Sequence, residues 1–283
     1  MINIYEKGNT NEKYNNKCYE IPDNSKTNIM HLIITRFLTE FFHANEFPQK
    51  MYSKDYIQNG IRVLKKYLIP SLENQSCKSF IWILMVGEKA NINYIESMLN
   101  IKSSFKKIIL YKKDIKSYIN NITKGYKVLI TTRIDYDDRI YYDAVNDVRK
   151  VINLNKPIIL HGYMRGFRYF EFYNKYDDVF LKNGTNGVWS VFASLIIIIN
   201  KLNDTYTIYD LGDHSYARKT LLNNYKSFGI NKLDYEPAIF DYGTPKFVYV
   251  KQKYSGTYVD KNIRLKVKNI TLTTFNLKKF YGK

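Results

Sequence analysis

Cysteine, glycine and proline are scarce in this sequence: 283 residues contain two Cys, 13 Gly and six Pro. Cys18 and Cys77 form no Cys-x-x-Cys pair, which argues against a disulfide framework or a Cys-rich zinc site and suits a reducing compartment. The glycines form neither G-x-G-x-x-G nor G-x-x-x-x-G-K-[ST], which argues against a Rossmann dehydrogenase and a P-loop NTPase. The G-x-S-x-G elbow of the serine hydrolases is also absent.

Long hydrophobic runs are missing as well. The most apolar stretch, Val191–Ile199, has nine residues, which cannot span a bilayer as a helix and is better explained as a buried strand or core helix. Residues 1–17 are polar and contain no apolar core of a signal peptide. We therefore expect a cytoplasmic protein without a secretory signal.

Positive charge is abundant, with 44 Lys and Arg against 26 Asp and Glu and a formal net charge of +18. The basic residues are scattered, which favours a solvated lysine surface over a binding patch. Attraction to nucleic acid, to anionic membrane or to a negatively charged small substrate stays open. The stretch 163–173 (YMRGFRYFEFY) has the interleaved aromatic and basic residues of a single-strand binder, but we prefer to explain it as an amphipathic strand pair beside the active site.

Strand-like and helix-like patterns alternate through the first 155 residues. The predicted strands are Ile29–Thr35, Phe80–Val86, Lys107–Tyr111 and Lys127–Arg133, and the predicted helices are 55–68, 93–100, 114–123 and 141–154. We expect Asp55 to cap the first helix and Pro70 to stop it. This alternation predicts an α/β fold, in which a mixed sheet is flanked by helices and ligands bind at the carboxyl ends of the strands.

After Pro157 the pattern changes to strands with little helix between them, which predicts antiparallel strands added to the sheet. The strands expected here are 158–163, 168–173, 179–181, 188–199, 205–209 and 247–251, with a helix at 217–228. We predict a loose N-terminal arm (1–27), a ligand-binding α/β half (28–155), a second half of the same domain (156–250) and a Lys-rich C-terminal extension (251–283).

An acidic cluster follows the fourth predicted strand. Asp135, Asp137 and Asp138 lie within the sequence TTRIDYDDRI (131–140), directly after a buried apolar run. Carboxylates this close raise one another's pKa unless a cation lies among them. An Asp-x-Asp turn can hold Mg²⁺ or Mn²⁺ through its oxygens and leave positions for phosphate. The alternative is a solvated acidic turn that caps the helix predicted from Tyr141.

Other candidate residues lie at similar places. His214 stands in a Gly-containing turn with Asp210 and Asp213 beside it, where it could be a further metal ligand, a diphosphate contact or a hydrogen-bonded loop histidine. Because no glycine-rich loop is available, a bound diphosphate would need a metal together with Arg36 or Arg133. His31 lies in an apolar strand, which is typical of a core residue.

These residues resemble a known family, the rhamnosyltransferase-like GT-A glycosyltransferases. HLIITRF (31–37), Arg62, LIPSL (68–72) and QSCKSFIW (75–82) stand in the family's order, and TTRIDYDDRI resembles its Thr-Arg-hydrophobic-Asp-x-Asp-Asp motif. The resemblance covers roughly the first 150 residues, and Leu38 departs from the small polar residue expected after Arg-Phe. It implies a GT-A fold, a nucleotide-sugar donor bound by residues 28–155, and a divalent metal (Mn²⁺ or Mg²⁺).

The resemblance also implies roles for single residues. Asp137 would be the principal metal ligand, and Asp135 would contact the metal or the donor ribose. Asp138 would hold a water or a sugar hydroxyl, or brace the turn, and His214 would complete the metal or diphosphate site. The residues expected around the nucleotide-sugar are Arg36, Phe37, Glu88, Arg133, Asp135 and Asp138.

An inverting enzyme needs a carboxylate base near the acceptor hydroxyl, for which Asp213 and Glu171 are candidates, whereas a retaining enzyme does not. The acceptor would be a glycan, a glycoconjugate or a lipid-linked molecule. The Lys-rich segment LKKFYGK (277–283) would allow peripheral contact with an anionic membrane. The alternatives are a nucleic-acid-binding protein with a basic, Tyr-rich surface, and a binding module that keeps the pocket without the activity.

Overall fold

The computed structural model describes residues 18–21, 27–39, 50–163, 165–170, 175–180, 192–202, 204–212, 217–230, 236–241 and 247–251. Its strands are β1 (Ile29–Phe37), β2 (Ile81–Val86), β3 (Lys106–Tyr111), β4 (Val128–Arg133), β5 (Arg139–Ile140), β6 (Ile158–Tyr163), β7 (Arg165–Phe170), β8 (Lys175–Phe180), β9 (Ala193–Ile198), β10 (Glu236–Asp241) and β11 (Phe247–Lys251). The four strands predicted in the first half are confirmed to within two residues at either end.

Seven strands form one mixed sheet in the order β10-β6-β9-β4-β1-β2-β3. Strand β1 pairs in parallel with both β2 and β4, and β2 pairs in parallel with β3. Strand β9 runs antiparallel to its two neighbours, β4 and β6, while β10 is parallel to β6. The predicted fold class, an α/β mixed sheet with antiparallel strands, is therefore confirmed, and the acidic turn follows a central strand.

Helices cover both faces of the large sheet. They are α1 (Lys54–Lys66), α2 (Leu68–Glu73), α3 (Ile92–Leu99), α4 (Ile115–Ile122), α5 (Ala144–Lys150) and α6 (Ala217–Asn223). Successive residues of β1 point to opposite faces, so that Ile33 packs in the core under α1, α2, α3 and α5 while Leu32 and Ile34 pack under α4 and α6. Burial on both faces explains why strands in the middle of the large sheet are so rich in apolar residues, as in β2.

The ends of the first helix differ from the prediction. Ser53, not Asp55, caps α1, because the Ser53 hydroxyl accepts a hydrogen bond from the Tyr56 N–H; Asp55 lies in the first turn. Pro70 does not stop α1, which already ends at Lys66; it lies in the first turn of α2, where a missing N–H costs little. Among the described residues, no helix is long and apolar enough to cross a membrane.

The segment predicted as strand 205–209 is also different. Residues Ile208–Leu211 form a 3₁₀ helix, which we call the 208–211 turn. Its start is a capping box in which the Asp210 carboxylate accepts hydrogen bonds from the N–H and the hydroxyl of Thr207, at 2.6 and 2.9 Å. This local bonding overrides the strand preference of the β-branched residues before it. The predicted C-terminal segment, 265–280, lies outside the described residues.

A second, smaller sheet has the order β5-β11-β7-β8. Phe167 of β7 and Val248 of β11 are buried with Tyr67, and Tyr169 packs against Tyr67 with 6.5 Å between ring centroids. These contacts account for two aromatic residues of the stretch 163–173 by packing. They favour the amphipathic strand over the nucleic-acid interpretation of that stretch.

The two cysteines form a disulfide, with 4.7 Å between the Cα atoms of Cys18 and Cys77. The expectation that these residues are not joined was wrong, because 59 residues separate them in sequence and only the fold brings them together. The Tyr19 N–H donates a hydrogen bond of 2.8 Å to Asn146 Oδ1 beside it. The described part of the N-terminal arm, 18–21, is thus attached to the helical layer that contains α5.

Candidate functional site

The acidic cluster forms a tight turn between β4 and β5. The Asp138 N–H donates to the Asp135 carbonyl oxygen at 3.2 Å, which closes the turn. Directly before it, the Ile134 N–H donates to the Ile34 carbonyl oxygen at 3.2 Å, which extends the pairing of β4 with β1. The turn therefore lies at the carboxyl ends of two adjacent parallel strands, the usual position of ligand sites in such sheets.

Two arginine side chains meet at Asp135. Nη2 of Arg36, at the end of β1, and Nη2 of Arg133, at the end of β4, both lie 3.5 Å from Asp135 Oδ1. The Arg133 side chain is only 2% exposed, whereas that of Asp135 is 27% exposed. Because β1 and β4 are parallel neighbours with Ile34 opposite Arg133, their ends bring the two guanidinium groups to one place. The strand ends predict that Arg36 and the aspartates lie close together, whereas Arg133 was expected at the diphosphate only as an alternative to Arg36.

Tyr209, in the 208–211 turn, faces both arginines. The guanidinium carbons of Arg36 and Arg133 each lie 5.7 Å from the centre of its ring, within the range of a cation–π interaction. Its hydroxyl donates to the Ile34 carbonyl oxygen at 3.1 Å. Burial raises the pKa of Tyr209 well above its usual value, although the two arginines oppose the shift, so the phenol stays protonated.

The remaining two carboxylates of the turn are more enclosed. Asp137 is 8% exposed and Asp138 is fully buried. Between Asp135 and Asp137, the Tyr136 ring packs edge-on against Phe37 with 5.7 Å between centroids. Burial and, next, the charge of Asp137 hold the pKa of Tyr136 well above its usual value, and Tyr136 shares a side-chain hydrogen bond with Tyr56 of α1.

The end of β1 is held in an unusual backbone conformation. Leu38 has a φ of 54°, in the left-handed region that β-carbons disfavour. Its carbonyl oxygen accepts hydrogen bonds from the Gly87 N–H at 3.2 Å and from the Tyr52 hydroxyl at 3.3 Å. Leu38 is thus a strained residue two positions after Arg36. It is also the position at which the sequence departs from the pattern of the family that it resembles. Phe37, predicted to contact the nucleotide, is 2% exposed and supports Tyr136 from inside the core.

Glu88, which was predicted to contact the nucleotide, forms its ion pair away from the aspartates. Glu88 follows β2 as expected, but its carboxylate is exposed and lies 3.6 Å from Lys113 Nζ, on the side of β3. Glu171, Asp213 and His214 lie outside the described residues, so their roles stay predictions.

Two neighbours of the cluster were missed from the sequence. Tyr209 was assigned to a strand, and nothing in its sequence context indicates that it meets arginines from β1 and β4. Arg139, next to Asp138, is buried; its Nη2 donates to the Lys66 carbonyl oxygen at 2.9 Å and its guanidinium carbon lies 4.8 Å from the centre of the Tyr67 ring. The run of charges after β4 gave the only signal that could have indicated Arg139.

The arrangement suits the binding of a phosphate-containing ligand. Two guanidinium groups at one sheet edge are favourable partners for phosphate oxygens, because their planar N–H groups match the oxygens in pairs. No group of three or more His, Cys, Asp or Glu side chains suited to a metal occurs among the described residues. Asp135 and Asp137 could still hold a divalent cation whose other ligands come from a bound phosphate, since Mg²⁺ commonly uses only one or two carboxylates.

No family model matches the sequence, and no curated protein matches it. Solved structures do show distant similarity. Residues 1 to 349 of S. aureus TarS share 13% identity, with a TM-score of 0.38 over 78% of this chain and 60% of that one. The mannosyltransferase PcManGT of Pyrobaculum calidifontis, in complex with GDP-Man and Mn²⁺, shares 9% identity, with a TM-score of 0.39 over 82% of this chain and 59% of that one.

The inositol-1-phosphate CTP transferase of T. maritima shares 9% identity, with a TM-score of 0.28 over 78% of this chain and 84% of that one. The chain thus spans about three fifths of the length of the solved chains of TarS (residues 1 to 349) and PcManGT. At these TM-scores the similarities assign no activity to the chain.

Proposed function

We propose that this chain is a GT-A glycosyltransferase that transfers a sugar from a nucleotide-diphosphate sugar to a hydroxyl acceptor. The observation that supports this most directly is the meeting of Arg36, Arg133 and Asp135 at the carboxyl ends of β1 and β4. A diphosphate leaving group gains negative charge as the sugar departs, and fixed guanidinium groups stabilise that charge without having to reorganise. The family resemblance of TTRIDYDDRI agrees with this role.

Arg36 and Arg133 would bind the diphosphate of the donor. Asp137 would be the main ligand of Mn²⁺ or Mg²⁺, with Asp135 either as a second ligand or as the counter-ion of the arginines, and His214 as a further ligand. When bound, the metal would neutralise charge on the departing diphosphate. Of the roles open to Asp138, bracing the turn agrees best with its complete burial.

The acceptor hydroxyl must lose a proton when its oxygen bonds to the anomeric carbon. If the enzyme inverts, Asp213 or Glu171 would accept this proton. If it retains, neither carboxylate needs to act as a base. We propose a glycan, a glycoconjugate or a lipid-linked molecule as the acceptor.

The test is a panel of nucleotide sugars incubated with and without Mn²⁺, with release of nucleoside diphosphate as the readout. We expect at least one donor to be turned over, and Asp137→Ala to lower this turnover by roughly 100-fold or more, as loss of an electrostatic contact in a transition state does. Asp55→Ala, which removes an exposed carboxylate of α1, is the matched control and should keep full turnover.

Full activity of Asp137→Ala with unchanged Mn²⁺ dependence would remove the metal role. Because sugar transfer releases nucleoside diphosphate, release of pyrophosphate from a nucleoside triphosphate and a sugar phosphate would indicate a nucleotidyltransferase instead. Binding without turnover of any donor would indicate a binding module.

We also propose peripheral contact with an anionic membrane through residues 277–283, which lie outside the described residues. Their lysines would favour such a surface at low salt. Co-sedimentation with phosphatidylserine vesicles tests this, and a chain shortened before residue 277 should no longer sediment. Equal sedimentation of both chains would contradict the proposal.

A further inference from the structure

The 208–211 turn is fixed to both strands that supply the arginines. The Ile208 N–H donates to Thr131 Oγ1 of β4 at 2.8 Å, and the Tyr209 hydroxyl donates to the Ile34 carbonyl oxygen of β1 at 3.1 Å. Thr131 is two residues before Arg133, so their side chains lie on the same face of β4, and the Ile34 carbonyl is two residues before Arg36 on β1. The position of the Tyr209 ring is therefore set by the strands themselves.

The ring of Tyr209 is shared equally by the two arginines. Both guanidinium carbons lie 5.7 Å from its centre, and both Nη2 atoms lie 3.5 Å from the same oxygen of Asp135. Two like charges that meet at one carboxylate oxygen repel each other. The negative face of an aromatic ring offers both cations a further favourable contact.

Arginine side chains are long, and each has many rotamers when it is not held. The contacts of Tyr209 and Asp135 hold both guanidinium groups at the carboxyl ends of β1 and β4, where the Arg36 side chain is 17% exposed and the Arg133 side chain is 2% exposed. A ligand that binds two pre-positioned guanidinium groups does not have to order them, so its affinity is higher. The ligand class that this pair fits is a diphosphate.

We propose that Tyr209 is a positioning residue that holds Arg36 and Arg133 in place for the diphosphate of the donor. This inference rests on the proposed function for the identity of the ligand. Tyr209 acts through the arginines and need not touch the substrate itself. Nothing in the acidic motif indicates it, because it comes from a turn about 70 residues later in the chain.

Binding of inorganic pyrophosphate, measured by calorimetry, tests this inference without requiring the correct sugar. We expect Tyr209→Leu to weaken pyrophosphate binding by about tenfold, since two cation–π contacts are lost. Tyr209→Phe keeps the ring and loses only the hydroxyl, so it should weaken binding by no more than about threefold.

Tyr206→Leu is the matched control, because it removes a tyrosine ring from the same segment. Tyr206 packs on Phe228 with 4.4 Å between centroids and donates to the Ser227 carbonyl oxygen at 2.8 Å. We expect its pyrophosphate affinity to equal that of the wild type. An equal loss in Tyr206→Leu and Tyr209→Leu would mean that the segment acts only through stability and would overturn the positioning role.

A double-mutant cycle adds a readout that a purely structural role would not change. If Tyr209 acts through Arg36, Arg36→Gln should reduce the pyrophosphate affinity of the Tyr209→Leu protein much less than it reduces that of the wild type. Additive losses, or wild-type affinity in Tyr209→Leu, would overturn the inference. If Tyr209→Leu does not fold, the same cycle is measured with Tyr209→Met, which also removes the ring, and additive losses there overturn the inference.

The two proposals fail separately. If pyrophosphate binding depends on Tyr209 and Arg36 but no nucleotide sugar is bound or turned over, the inference stands and the proposed glycosyl transfer does not. If a nucleotide sugar is turned over by Tyr209→Leu with an unchanged KM, the glycosyltransferase stands and the positioning role is wrong. If the wild type binds no pyrophosphate, the inference is overturned.

Discussion

The N–H of Gly87 donates a hydrogen bond of 3.2 Å to the carbonyl oxygen of Leu38, and so ties the end of β2 to the end of β1. A β-carbon at position 87 would lie 2.6 Å from the Leu38 carbonyl oxygen and 2.6 Å from the Tyr52 hydroxyl oxygen. The backbone of residue 87 can come this close to the Leu38 carbonyl oxygen only because the residue is glycine. The resulting hydrogen bond helps to hold Leu38, two residues after Arg36, in its left-handed conformation.

Gly87→Ala should therefore lower the free energy of unfolding by about 1–3 kcal/mol, the usual cost of overpacking. Because the backbone at Leu38 must shift, we also expect a higher KM for the donor. Urea unfolding and donor kinetics measure the two effects. Tyr52→Phe is the control: it removes one hydrogen bond without forcing the carbonyl aside and should cost only about 1 kcal/mol. A Gly87→Ala protein with wild-type stability would show that the approach is not tight.

Substitutions of Asp137 and Asp138 should separate activity from stability. Asp138 is fully buried, so Asp138→Asn should lower the free energy of unfolding by about 1–3 kcal/mol, because an NH₂ group replaces one oxygen of a buried carboxyl group. Asp137→Asn should instead reduce donor turnover and change stability little. Urea unfolding and turnover assays of both variants check this. Equal losses of stability would contradict the division of roles.

Stability should fall in mild acid because of His31. Burial, assisted by the charge of Arg149, holds the pKa of His31 well below 6.5, and its Nε2 lies 2.8 Å from Thr132 Oγ1. Below pH 6.5 the His31 imidazole binds a proton in the unfolded chain but not in the folded chain. The free energy of unfolding is therefore highest above this pH and decreases as the pH falls. Where only the unfolded state is protonated, the loss is about 1.4 kcal/mol per pH unit.

Urea unfolding between pH 7.5 and about 5.5, where most carboxylates are still ionised, measures this loss. His31→Gln has no proton to gain and should show a flatter pH dependence, although its stability at neutral pH should be lower. The same slope in His31→Gln and the wild type would assign the pH dependence to other groups.

Reduction of the Cys18–Cys77 disulfide should weaken the fold. Its closed loop is long, with a sequence separation of 59, so the disulfide restricts the unfolded chain strongly. We expect a reducing agent to lower the free energy of unfolding by about 2–4 kcal/mol. Cys18→Ser should show the lower value with and without the reducing agent. Coincident unfolding curves of the oxidised and reduced wild type would contradict this.

Much of the large sheet could be predicted from the sequence because its strands are covered on both faces. Strand β2 is a continuous apolar run, β1 and β4 are mainly apolar before the Thr and Arg near their ends, and the helices between them have apolar residues on one side. The prediction failed where a local interaction decided the structure. The side chain of Asp210 folds the 208–211 turn, and Pro70 fits the first turn of α2.

The candidate site was predictable only in part. The sequence indicated that Arg36, Arg133 and Asp135 could lie close together, because they stand at the ends of neighbouring strands. Tyr209 could not, because its contacts depend on how a later turn crosses two earlier strands. The disulfide likewise depends on the placement of the N-terminal segment, which residue spacing does not encode.

The acidic turn also connects the two sheets. It joins β4, in the middle of the seven-stranded sheet, to the two-residue strand β5, at the edge of the four-stranded sheet, where Arg139 and Ile140 pair with Val248 and Phe247 of β11. Any ligand that binds to this turn should therefore stabilise the connection between the two sheets. Its arrival should slow amide hydrogen exchange in β11, more than 100 residues farther along the chain.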